Sequence, residues 1–181
     1  MKISSGEFAG VPLLTPKNYD LRPTLSRTRQ AIFNILRPLI GGSSCADFFC
    51  GTGALGLEAI SNGAAYCAFV DSGNREMIVK NAAKLKLGQE RYKVITCEYR
   101  AAAEKLLKEG FRADFIFADP PYKRGHVLDF LGTAQVRDIL KDDGVLVIEL
   151  HRDEAAASYE GWEINKHKEY GETRVLFLKK R

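Results

Sequence analysis

Two short runs in this chain hold residue types that could do chemistry. One is Asp119-Pro120-Pro121-Tyr122, which closes the apolar stretch ADFIFAD at 113–119. Consecutive prolines fix φ and remove two amide donors, so the Pro120 carbonyl is held in a stiff, extended turn. A carboxylate and a carbonyl placed together could accept both N–H bonds of an aromatic exocyclic amine. In guanine, adenine or cytosine that nitrogen's lone pair is delocalised into the ring. Accepting both hydrogens favours pyramidal geometry and aims the lone pair at an electrophilic methyl group. Negative charge beside the nitrogen also stabilises the positive charge that grows there during attack. Tyr122 could stack on a base drawn out of its helix or loop. The plain alternative is a rigid turn beside a surface aromatic.

The other run is Asp47-Phe-Phe-Cys-Gly51-Thr-Gly53-Ala-Leu-Gly56. It contains GxGxxG at 51–56, at a strand-to-helix turn. Gly51 and Gly53 allow a tight turn and close approach of backbone to a ligand. Asp71 ends the next strand twenty residues beyond Gly51, where a carboxylate can accept from both hydroxyls of a ribose. A dinucleotide and S-adenosylmethionine both carry adenosine and both fit this much. Asp47 tilts the choice, because a carboxylate there suits a cationic amino group and would repel a pyrophosphate; its alternative is to cap loop amides. Phe49 and Thr52, in the same turn, complete the cofactor-binding candidates there. After the third strand, Glu98 could accept the adenine amine or simply stand solvated, and Tyr99 could meet adenine or pack.

These runs need elements to position them. Residues 1–14 read as short strands around turns at Gly6 and Gly10. Ile32, Ile35, Leu36 and Leu39 mark one face of a helix starting at Thr24 or Ser26. Strands are expected at CADFFC (45–50), YCAFVD (66–71), KVITC (93–97), ADFIFAD (113–119) and GVLVIEL (144–150). Helices are expected at Ala54–Asn62, around Ile78–Leu85, near Ala101–Leu107, and around Val127–Leu131 and Val136–Leu140. Strands that are apolar throughout, alternating with helices, imply a parallel sheet covered on both faces. WEINKHK and TRVLFLK flank Gly171 and suggest a closing antiparallel hairpin. The expected class is α/β, a Rossmann-like, mostly parallel sheet with a C-terminal antiparallel hairpin. The expected organisation is a single domain over 1–181: an N-terminal extension of hairpin and helix at 1–40, and a catalytic core at 41–181.

Composition fits one such domain: 181 residues, 45% hydrophobic and 28% charged. It excludes a disordered or collagenous chain, and no run approaches the ~18 apolar residues of a membrane helix. Net charge is +4, but unevenly spread. Residues 1–40 carry six basic and two acidic groups, residues 162–181 six and three, and the middle is net acidic. The amino terminus lacks a secretory pattern, so the cytoplasm is the expected location. Cys45, Cys50, Cys67 and Cys97 show no CxxC spacing and read as small buried hydrophobes rather than a metal site.

Taken together, Asp47–Gly56 and Asp119–Tyr122 resemble the amino-methylating class I S-adenosylmethionine-dependent methyltransferases. More closely, the chain resembles the bacterial RsmD family, which methylates guanine N2 in small-subunit ribosomal RNA. The matching runs are RPTLSRTRQAIFNIL (22–36), DFFCGTGALGLEAISNGA (47–64), Asn81 and FIFADPPY (115–122). The resemblance implies that Gly51, Gly53 and Asp71 hold the cofactor, with Glu98 where an acidic residue meets adenine. Asp119, Pro120, Pro121 and Tyr122 would hold the target base. Arg22, Pro23 and Thr24, with Arg27, would lie near cofactor and RNA. It further implies a ribosomal RNA or small-subunit partner, no metal, no membrane and a monomer. Three departures stand out: GEFAGVPL at the hairpin where the family usually carries Arg or Lys, Glu98 in place of Asp, and Asn62 in place of Arg. An adenine-N6 methyltransferase is the alternative enzyme. A nucleotide-dependent oxidoreductase would leave DPPY unexplained.

Overall fold

The computed structural model describes residues 1–16, 23–121, 125–154 and 158–181, with residues 23–25 as backbone alone. Tyr122 and Arg22 therefore lie outside the described residues, as do the side chains of Pro23 and Thr24.

Five β-strands follow one another in parallel, each separated from the next by helix. They are β1 (Ser44–Phe48), β2 (Tyr66–Val70), β3 (Tyr92–Ile95), β4 (Ala113–Ala118) and β5 (Leu140–His151). The connecting helices are α2 (Ala54–Ser61), α3 (Arg75–Lys84), α4 (Tyr99–Lys108), α5 (His126–Leu131) and α6 (Ala134–Ile139), preceded by α1 (Pro23–Leu36). Proline suits the first position of α1, where its missing donor is no loss. The antiparallel strands β6 (Trp162–Tyr170) and β7 (Thr173–Lys180) complete a seven-stranded sheet in the order β3-β2-β1-β4-β5-β7-β6.

Strand pleating divides the interior between two faces. Ala46, Phe48, Val70, Ile116 and Ile148 pack toward Ala102, Phe130 and Trp162. Cys45, Phe69, Phe115, Phe117 and Val147 pack toward Phe33, Leu36 and Leu57. The Phe33 and Phe117 rings lie 5.5 Å apart, so α1 is seated on the sheet itself.

The expected elements are present with shifted ends. β5 starts at Leu140 rather than near Gly144, because Leu140 pairs with Ala113 across an irregularity before the regular register resumes at Phe115↔Val145. The amino-terminal segment forms a hairpin held by one antiparallel bridge, Lys2↔Pro12, rather than by regular strands. Its anchor is the carboxylate of Glu58, fully buried in α2. That carboxylate accepts from the backbone and side chains of Ser4 and Ser5 and from Arg29 Nε at 3.0 Å. Asn81 on α3 makes a second seam: it accepts from Leu14 N at 2.6 Å and donates to the carbonyls of Leu14 and Thr52.

Candidate active site

Strand order reverses between β1 and β4, the place where open α/β sheets form a crevice at their carboxyl ends. The Asp47 side chain sits near the end of β1, and the turn Phe49–Gly53 leads into α2. Phe49 has φ 56, a left-handed backbone that a residue with a side chain seldom adopts, and Gly51 and Gly53 follow at φ 52 and 77. Gly56 serves a different purpose, since a Cβ there would come within 2.4 Å of the Phe69 ring. The turn is tied down at two points: Gly51 N donates to Asp71 Oδ2 at 2.9 Å, and Gly56 N donates to Asp47 Oδ2 at 2.8 Å.

Two adjoining cavities open here. The larger, about 540 Å³, is lined by Phe49, Asp71, Glu98, Tyr99, Asp119, Pro120 and Pro121, among others. Its size falls within the usual range for small-molecule sites. The smaller, about 200 Å³, is lined by Arg29, Asp47, Phe49, Gly51, Thr52, Asp119 and Glu149, among others. Phe49 and Asp119 border both. In the larger cavity, Asp71 Oδ1 accepts from the backbone of Gly73 and Asn74 and from Asn74 Nδ2. Glu98 caps α4 by accepting from Arg100 N at 2.9 Å. Tyr99 both packs and lines the space: its ring lies 5.3 Å from Phe49 and from Phe130, and its hydroxyl donates to Asp129. That hydroxyl titrates near 12 because burial and the Asp129 carboxylate disfavour its anion.

The smaller cavity is a crowd of carboxylates. Asp47 is pushed up to about 8, first by burial and then by the charges of Asp119 and Asp71. Burial raises Asp119 to about 6. Glu149 is held well above the carboxylate range by burial, Asp119 and Asp47, with Arg29 acting the other way. Asp47 Oδ1 and Glu149 Oε2 are buried without a hydrogen-bond partner. A site so short of donors suits a ligand that brings N–H groups or a cation. Cys45, Cys50 and Cys67 are buried nearby with their thiol pKa values raised, so they remain neutral hydrophobes. Cys97, also a free thiol, lines the larger cavity.

The structure thus brings Asp47, Phe49, Gly51, Thr52, Asp71, Glu98, Tyr99, Asp119, Pro120 and Pro121 to one crevice, with Gly53 in the turn beneath it. Arg27 is exposed on α1 and is not among the residues lining either cavity. Sequence reasoning missed Arg29 and Glu149. Both had a signal. Arg29 shares the helical stripe of Ile32, Phe33 and Leu36, and Glu149 is a lone acid inside the apolar run VLVIEL.

The family model described as conserved hypothetical protein 95 matches residues 1–179. The Escherichia coli protein named Ribosomal RNA small subunit methyltransferase D is 34% identical over 151 residues, covering 82% of this chain and 74% of the relative. The chain belongs to the RsmD family of methyltransferases. A Haemophilus influenzae RsmD relative of the same name is 29% identical, covering 94% of this chain and 89% of its own. The solved structure of a hypothetical protein from Thermus thermophilus shares the RsmD fold at TM-score 0.82, with 23% identity and 99% of each chain covered. Among the described residues of this RsmD-family chain, no helix is long and apolar enough to cross a membrane. Nor, among them, is any group of three His, Cys, Asp or Glu placed to hold a metal ion.

Proposed function

We propose that this chain transfers a methyl group from S-adenosylmethionine to the exocyclic N2 amine of a guanine in small-subunit ribosomal RNA. The observation that carries this is Asp119-Pro120 at the carboxyl end of β4, where the strand order reverses, with Asp119 bordering both cavities and Pro120 the larger. The residues present fit the cofactor. Asp71, Glu98 and Tyr99 offer acceptors and an aromatic face for adenosine, and the unpartnered Asp47 Oδ1, at the smaller cavity, offers a place for the ammonium of the methionine part. When bound, S-adenosylmethionine supplies a methyl group made electrophilic by its sulfonium.

The protein's part is to hold the nucleophile. Asp119 and the Pro120 carbonyl accept the two N–H bonds, turn the lone pair out of conjugation and stabilise the charge that develops on nitrogen. Pro121 stiffens that turn, and Tyr122 supplies an aromatic ring for stacking on the base. Arg22, Pro23, Thr24 and Arg27 contribute to the RNA side. The enzyme works in the cytoplasm as a monomer; a solution mass near twice 20.2 kDa would overturn the last point.

The deciding experiment incubates the protein and labelled S-adenosylmethionine with undermethylated small subunits, naked ribosomal RNA and DNA, then identifies the modified nucleoside. N2-methylguanosine in subunits or RNA is expected. N6-methyladenosine would replace this reading with an adenine-N6 methyltransferase, and no transfer to any nucleic acid would end it.

A further inference from the structure

We propose that Glu149 selects guanine: its free carboxylate oxygen accepts the N1–H of the target base while Asp119 and Pro120 hold the neighbouring N2 amine. This rests on the methyl-transfer reading above and adds to it the residue that discriminates between bases.

The strand register places Glu149 beside the reacting turn. Phe117 pairs with Val147 and Ala118 with Ile148, so the next step along β4 and β5 sets Asp119 and Glu149 side by side on one face. Asp47 stands on that same face, on β1, because it pairs with Phe117. Asp47 and Glu149 thus flank Asp119 from opposite neighbouring strands. Asp47 is on the side of the glycine turn and Asp71, where adenosine fits. Glu149 is on the other side. It is 5% exposed, its Oε2 has no partner, and it borders the smaller cavity together with Asp119. Arg29 does not satisfy it, being engaged through Nε with Glu58 and through a terminal nitrogen with the Lys2 carbonyl. A buried, unpartnered carboxylate oxygen calls for a donor. Burial and the neighbouring carboxylates favour the protonated acid, and a bound N1–H favours the ionised form that accepts it.

Base chemistry identifies that donor. Guanine alone presents a ring N–H next to its exocyclic amine. Beside the amines of adenine and cytosine stands a ring nitrogen lone pair, which would face the Glu149 oxygen with no hydrogen between them. A site built around such a hydrogen bond rejects analogues that lack it far more strongly than shape alone could.

The test uses the full chain and an RNA substrate carrying either guanine or 2-aminopurine at the methylated position. 2-Aminopurine keeps the 2-amino group but turns N1 into an acceptor. Wild type should prefer guanine in kcat/KM by at least about a hundredfold. Glu149→Gln, whose amide can donate to an N1 lone pair, should narrow that ratio at least tenfold while S-adenosylmethionine affinity by calorimetry stays within about twofold. Glu149→Asp should keep the preference at reduced kcat/KM. An unchanged ratio in Glu149→Gln overturns the proposal; a tenfold loss of cofactor affinity with an unchanged ratio assigns Glu149 to the cofactor instead. Should Glu149→Gln fail to fold, wild type decides alone, since equal use of the two bases overturns the proposal. If wild type methylates no guanine at all, the methyl-transfer reading itself falls.

Discussion

Burial sets the behaviour of Asp47 more than any partner does. With its folded pKa near 8 against an ordinary 3.8, the folded protein keeps a proton that the unfolded chain releases. Unfolding therefore sheds a proton between those values, and stability falls as pH rises until the folded carboxyl also ionises near 8. Asp119 and Glu149 shift in the same direction. Asp47→Asn keeps an acceptor for Gly56 N and removes one of these three contributions. Thermal melts from pH 5 to 9 should show a shallower decline in Tm for Asp47→Asn than for wild type, and parallel curves would sink the assignment. The same variant should bind S-adenosylmethionine more weakly. For Asp119→Ala the expectation is a fall in kcat of about 10²–10³, the usual cost of removing one group aimed at developing charge. Calorimetry should show cofactor binding nearly intact; full activity in that variant would refute the mechanism. At this scale the sequence was informative where spacing ties chemistry to a turn, as in Asp47–Gly56 and Asp119–Pro121. It marks Glu149 only as a lone acid in an apolar run and not as a neighbour of Asp119, because pairing across β4 and β5 brings together residues thirty apart, and no local pattern records which strands are neighbours.

Elements in this fold are joined by buried polar seams as much as by apolar packing. The seam between the amino-terminal hairpin, α1 and α2 runs through one pair, Arg29 and Glu58, whose side chains are 4% and 0% exposed. Removing one partner of a buried pair leaves the other charge without compensation, at a cost of about 3–5 kcal/mol. Glu58→Ala also strands the amides of Ser4 and Ser5. It should lower Tm by more than ten degrees for a domain of this size. Because Arg29 reaches the smaller cavity from this seam, cofactor affinity should fall as well. A melt within two degrees of wild type would show that the hairpin does not depend on Glu58. The helices and strands themselves were legible from periodicity. The hairpin's attachment was not: Ser4 and Ser5 read as ordinary turn residues, and Glu58 lies within a helix whose hydrophobic pattern hides its burial.

For the whole molecule, charge distribution bears on the RNA partner. Residues 1–40 carry an excess of four positive charges, of which three remain once Glu58 balances the buried Arg29. If those three meet phosphate, affinity for a ribosomal RNA fragment should fall about twentyfold between 50 and 200 mM monovalent salt, from a slope of about 0.7 per contact. Fluorescence anisotropy across that range provides the measurement, and a flat profile would remove phosphate contact from the account.

The sheet order also bears on how the protein is made. β7 comes after every other strand in the chain, yet lies inside the sheet between β5 and β6. While the chain leaves the ribosome, the outer edge of β5 has no native neighbour until residues 173–180 appear. Those residues pair with Leu146–His151, a stretch that includes Glu149. The crevice is therefore finished last, by a segment that contributes no catalytic group. A nascent chain stalled before Thr173 would hold the glycine turn and Asp119 but present a bare apolar edge, and so depend on chaperones at the moment its active site is nearly complete.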